Sequence, residues 1–230
     1  MRRAESCYMC DSLATSREHA PPICFFPEAS TFGRDLRKSL ITVPSCDAHN
    51  SKKSKDDEFF RATLLLTTAQ HGEASNHLFF QKLLAAAARR PEAYGGFFED
   101  KGTIASGTQR VARIDRPRFD RCIDHLARAL FFDAYKRKWH LPMVSTSPNF
   151  YRGILDDNVT PHEPSAQAVE ASKLILAAEP IRGENPEVFK YRLRFDEQAE
   201  SFAFAGQFFD LFEIYSYSSR AIVTKTDSRG

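Results

Sequence analysis

An α+β fold follows from three features of this sequence. The first fifty residues carry two closely spaced pairs of thiol and imidazole side chains, Cys7 with Cys10 and Cys46 with His49, separated by 35 residues. The middle of the chain repeats apolar residues at helical spacing, and Val188 to Phe195 alternates apolar with basic residues as a strand does. These features divide the chain into a paired-ligand module over residues 1–70, a helical region over 71–140, and a connection with a small α+β region over 141–230. The last two can form one unit.

Tetrahedral zinc takes four thiolate or imidazole ligands, and two short paired spacings let a tight turn offer one pair and the start of a helix the other. Structural Zn2+ is therefore expected at Cys7, Cys10, Cys46 and His49, in a treble-clef arrangement. Of the five cysteines, Cys24 and Cys122 then remain as reduced thiols, which suits a reducing interior better than a disulfide scaffold.

Between the two pairs stand groups that a purely structural zinc knuckle does not require. Glu18 and His19 precede Pro21-Pro22, and Asn50 directly follows the last ligand. In these residues the chain resembles the HNH, or ββα-metal, endonucleases over about residues 5–60. Zinc-stapled members of that family read C-x2-C, an acidic residue and His followed by Pro, and then a second ligand pair with a terminal His or Asn.

The resemblance implies phosphodiester hydrolysis with His19 as general base, a task that neutral imidazole performs near pH 7. It implies that Glu18 and Asn50 hold a catalytic divalent ion, Mg2+ or Mn2+, that polarises the phosphate. It also implies a nucleic-acid substrate, DNA before RNA, and leaves room for a partner subunit or homo-oligomer, as in restriction or phage-defence systems. Two positions depart from the family pattern: Glu stands at 18 where Asp is usual, and no Asn lies between His19 and Asn50. The competing reading is a catalytically inactive, zinc-stabilised nucleic-acid-binding or adaptor protein. A zinc nucleobase deaminase is excluded, because that class needs H-x-E followed by P-C-x-x-C.

Composition sets the outer bounds. A hydrophobic content of 42% with 20 Phe among 230 residues supplies a large core. The net charge is only +2, so a nucleic-acid surface has to come from local clusters. The start of the chain lacks an apolar leader and no apolar run reaches membrane-spanning length, which predicts a cytoplasmic protein without a membrane partner.

In chain order, residues 47–70 read as a helix whose Lys52, Lys53 and Lys55 follow Asn50 and are candidate phosphate contacts. Residues 75–90 read as a helix stopped by Pro91, and Tyr94 to Thr108 as a Gly-rich loop. Arg110, Arg113 and Arg116 form a second candidate nucleic-acid surface, ahead of a helix from Arg118 to Lys136 built on Phe119, Ile123, Leu126, Leu130 and Phe131. His125 on that helix reads as packed. The prolines of 141–166 suggest a long connection, and Ala166 to Ala178 a short helix. Strands are expected at 188–195, around Gly206 within 202–217, and at 221–224. Most Phe residues of this last region read as core, not as base-stacking platforms.

Overall fold

The computed structural model describes residues 5–69, 88–89, 98–104, 107–112, 114–149 and 166–220, and its architecture is α+β. Strand β1 (Ser16–His19) pairs antiparallel with β2 (Thr42–Ser45), with Glu18 opposite Val43 and His19 opposite Thr42. The chain between them carries the short helix α1 (Ala29–Phe32), ended by Gly33 at φ 74°, a left-handed turn that suits glycine.

The continuous helix expected over 47–70 is broken. Two 3-10 turns, Asp47–His49 and Ser51–Lys53, precede α2 (Ser54–Ala69). The break falls at Asn50, at φ −124° and ψ −76°. Its side-chain amide donates to Ser16 Oγ at 2.8 Å and to the Arg17 carbonyl at 3.3 Å. Those bonds tie it to β1, in competition with helical geometry.

The Gly-rich stretch expected as a loop forms a hairpin of β3 (Phe98–Ile104) and β4 (Gly107–Ala112). Gly102 lies at the register shift between Asp100 and Thr103, so here glycine accompanies an irregular strand. Helix α3 (Arg116–Tyr135) follows, within the end margins of the expected span. The Asp115 carboxylate caps it by accepting from the Arg118 amide at 3.0 Å, and Pro117 sits in its first turn.

Strand β5 (Val144–Thr146) lies inside the stretch expected as pure connection. It pairs with the later strand Phe212–Ser219, where the Ser145 and Ser216 hydroxyls meet at 2.8 Å. Three residues at a sheet edge suffice for that pairing and leave too little alternation to read in advance. Helix α4 (Ala166–Ala177) precedes β6 (Phe189–Asp196), β7 (Ser201–Phe208) and β8 (Phe212–Ser219), and the antiparallel order is β5-β8-β7-β6. Gly206 sits within β7 instead of at a turn, which comes at residues 209–211. A Cβ there would lie 2.7 Å from Phe204 Cζ and 3.0 Å from Phe189 Cε2. Of the expected helix over 75–90, only Ala88 and Arg89 are described, and they are helical; the strand expected at 221–224 lies outside the described residues.

Aromatic side chains join these parts in one core. Phe25, ahead of α1, meets Phe60 of α2 at 5.2 Å between centroids and Phe208 of β7 at 5.1 Å. Phe60 also meets Phe119 of α3 at 5.6 Å, and Phe119 meets Phe212 of β8 at 6.1 Å. The buried Phe residues of the sheet are core, as expected. Among the described residues no helix is long and apolar enough to cross a membrane.

Candidate metal centre and the buried charge cluster beside it

The chain before β1 turns back so that Tyr8 N donates to the Pro44 carbonyl at 2.8 Å, which carries Cys7 and Cys10 to the end of β2. Cys46 follows β2 directly, and the 3-10 turn after it swings His49 back over the same point. The ligand atoms of Cys7, Cys10, Cys46 and His49 all lie within 4.8 Å of one another. Cys10 Sγ stands 3.8 Å from Cys46 Sγ, and His49 Nδ1 stands 3.6, 3.6 and 3.2 Å from the sulfurs of Cys7, Cys10 and Cys46.

Tetrahedral bonds of ~2.3 Å to sulfur and ~2.05 Å to nitrogen place ligand atoms about 3.8 Å apart for a sulfur pair and about 3.6 Å apart for sulfur with nitrogen. The 3.8 Å sulfur pair and the two 3.6 Å sulfur–nitrogen pairs match those edges, and Cys46 with His49 at 3.2 Å is somewhat tighter, so the four side chains can hold a zinc ion in a closed set. Burial holds His49 below its ordinary range, which keeps the imidazole neutral and able to ligate.

Behind this centre lies a cluster of charges. Glu18 is buried, only 5% exposed. Lys53 Nζ donates to Glu18 Oε1 at 2.8 Å, and the Tyr8 hydroxyl and Ser45 Oγ donate to Oε2 at 3.0 and 3.5 Å. The same ammonium pairs with Asp57, four residues on in α2. Two carboxylates thus share one ammonium, a net charge of −1. Burial pushes Glu18 and Asp57 above the usual carboxylate range despite Lys53. For Lys53, burial acts to lower the pKa, but the two anions outweigh it and hold the ammonium above its ordinary value. One ammonium cannot fully compensate two carboxylates.

Glu18, His19, Lys53 and Asp57 line a cavity of about 10 Å³ that α3 closes with Cys122, Leu126 and Ala129. That is room for a single water. Half-buried His19 is held below its ordinary range by burial, so it stays neutral at pH 7. On α3, His125 packs as expected: its ring lies 5.7 Å from that of His49, its Nδ1 stands 3.5 Å from the Tyr8 hydroxyl, and burial drives its pKa down to about 4.

Glu18 and Asn50 were expected to offer oxygens to Mg2+ or Mn2+. As they stand they do not fit a hydrated ion. Mg2+ keeps several waters, whereas Glu18 is sealed under α3 and both its oxygens already accept hydrogen bonds. The Asn50 amide is turned to β1.

Of the expected phosphate contacts, Lys53 is corrected to a buried ion-pair partner, drawn inward by Glu18 and Asp57. Lys55 is exposed. Arg116 pairs with Asp120 at 2.9 Å and donates to the Ser145 carbonyl at 2.5 Å, which pins it to the sheet edge. Arg110 belongs to β4, the Lys52 and Arg110 side chains are outside the described set, and Arg113 is outside the described residues.

Sequence reasoning missed Tyr8 and Asp57. The (i, i+4) spacing of Lys53 and Asp57 was a readable signal for one of them; nothing local marks Tyr8. Comparison with protein-family models, with curated proteins and with solved structures returns no match to this chain.

Proposed function

We propose that this chain is an HNH-type endonuclease that hydrolyses phosphodiester bonds of nucleic acid, DNA before RNA, from a treble-clef zinc module with His19 as general base. The observation that supports it is the four-ligand cage at the end of β2, beside the paired strand β1 that carries Glu18 and His19. Neutral His19 accepts a proton from water, the water oxygen bonds to phosphorus, and the P–O3′ bond breaks to leave a 3′ hydroxyl after protonation. A bound divalent ion would polarise the phosphate; Glu18 and Asn50 are not arranged to hold one, so none of these steps uses it. Lys55 is exposed and can meet a flanking phosphate. A partner subunit or a second copy supplies targeting.

One observation favours a second reading. Glu18, the acidic half of the motif, is closed off by α3, as expected of a zinc-stabilised binding or adaptor protein that does not cut.

One gel separates the two. Plasmid, single-stranded DNA and RNA are incubated with wild type and with His19→Ala, each with Mg2+, with Mn2+ and with EDTA at a level that leaves zinc bound. The nuclease reading expects wild-type cleavage that falls about 10²–10⁴-fold in a folded, zinc-loaded His19→Ala protein. Cleavage unchanged by that substitution, or absent from wild type on every substrate, favours the adaptor.

A further inference from the structure

We infer that the Lys53 ammonium, and not a divalent ion, is the cation of the Glu18 site. Lys53 Nζ lies 2.8 Å from Glu18 Oε1 and also pairs with Asp57, so it occupies the place between two carboxylates that an added cation would need. The remaining space, about 10 Å³, admits no ion with its own waters. The Tyr8 and Ser45 hydroxyls both donate to the second Glu18 oxygen.

Lys53 reaches Glu18 from the turn that leads into α2, so the ion pair joins the helix to the strand end beside His19. It is a positioning residue: its ammonium sets the conformation of β1 next to the imidazole and touches no substrate. This deepens the nuclease reading and rests on it only for the purpose of the positioning. The cation count stands or falls without any cleavage.

The test uses the full zinc-loaded chain and Mn2+ alone as probe, followed by electron paramagnetic resonance up to ~1 mM, the weak end of protein cation sites. Wild type should take up no Mn2+ that Glu18→Gln abolishes. Glu18-dependent Mn2+ binding by wild type overturns the inference. In parallel, Lys53→Arg should retain a cooperative melt near that of wild type, and Lys53→Ala should melt far lower or fail to fold. A Lys53→Ala protein as stable as wild type would show that the ammonium neutralises nothing there, and overturns the inference equally. Failure of the cleavage gel leaves these readings unchanged, so the two proposals fail separately.

Discussion

The charge cluster predicts an asymmetry between its members. Lys53→Ala leaves Glu18 and Asp57 facing each other without a cation, with side-chain exposures of 6% and 24%. Removing one partner of a buried pair costs about 3–5 kcal/mol, because the remaining charge is uncompensated. Against a total stability of about 5–15 kcal/mol, that is a large fraction.

Glu18→Gln should be far milder. It removes the carboxylate that burial already disfavours and leaves Lys53 and Asp57 as a one-to-one pair. The Gln oxygen can still accept from Lys53 or Tyr8. The cost should be about 1 kcal/mol, the net worth of an altered hydrogen bond. The pH dependence follows from the direction of each shift. Glu18 and Asp57 have folded pKa values above their ordinary ones, so stability is greatest below the ordinary carboxylate range and declines as pH rises through the raised values. Lys53 is raised as well, so its contribution is complete below its ordinary pKa of 10.5 and is lost only in more alkaline solution. From acid to neutral pH the carboxylates therefore set the slope, and Glu18→Gln should flatten it. Urea denaturation at several pH values between 4 and 8 reads both effects. A Glu18→Gln protein as damaged as Lys53→Ala, or a slope unchanged by Glu18→Gln, would refute the reasoning.

Metal analysis should find one zinc per chain, lost in Cys46→Ser together with much of the fold and kept in Cys24→Ser. Burial raises the Cys24 and Cys122 thiols to about 11 and about 12, so in native protein both should react slowly with a thiol reagent at neutral pH and become reactive in denaturant. Gly206→Ala should cost about 1–3 kcal/mol, read as a lowered melting temperature, because its Cβ would press on Phe204, Phe189 and Ile214. If duplex DNA is bound, Lys55→Ala should reduce the slope of log affinity against log salt by about 0.9, read by fluorescence anisotropy at several salt concentrations.

Local sequence determined a good deal of this molecule. The two short ligand spacings were enough to predict the cage, because a C-x2-C or C-x2-H step fixes where its two ligands can point whatever surrounds it. Helix α3 and strand β6 were legible from periodicity, with Asp115 and Pro117 marking the helix start and alternation from Phe189 to Phe195 marking the strand. Weakly patterned elements were not: β5 has three residues, and the glycines of β3 and β4 disguised a hairpin as a loop.

The candidate site divides in the same way. Which residues flank the zinc ligands was written in order along the chain, but whether Glu18 faces water or a lysine was not. That was decided by Cys122, Leu126 and Ala129 of α3, more than a hundred residues away, which lie over Glu18 and leave that residue 5% exposed. Once water is excluded, a carboxylate must find a counter-charge or a proton, and Lys53 was within reach. The residue types come from the sequence; the dielectric around them, and with it their charge and partners, exists only when distant segments pack together.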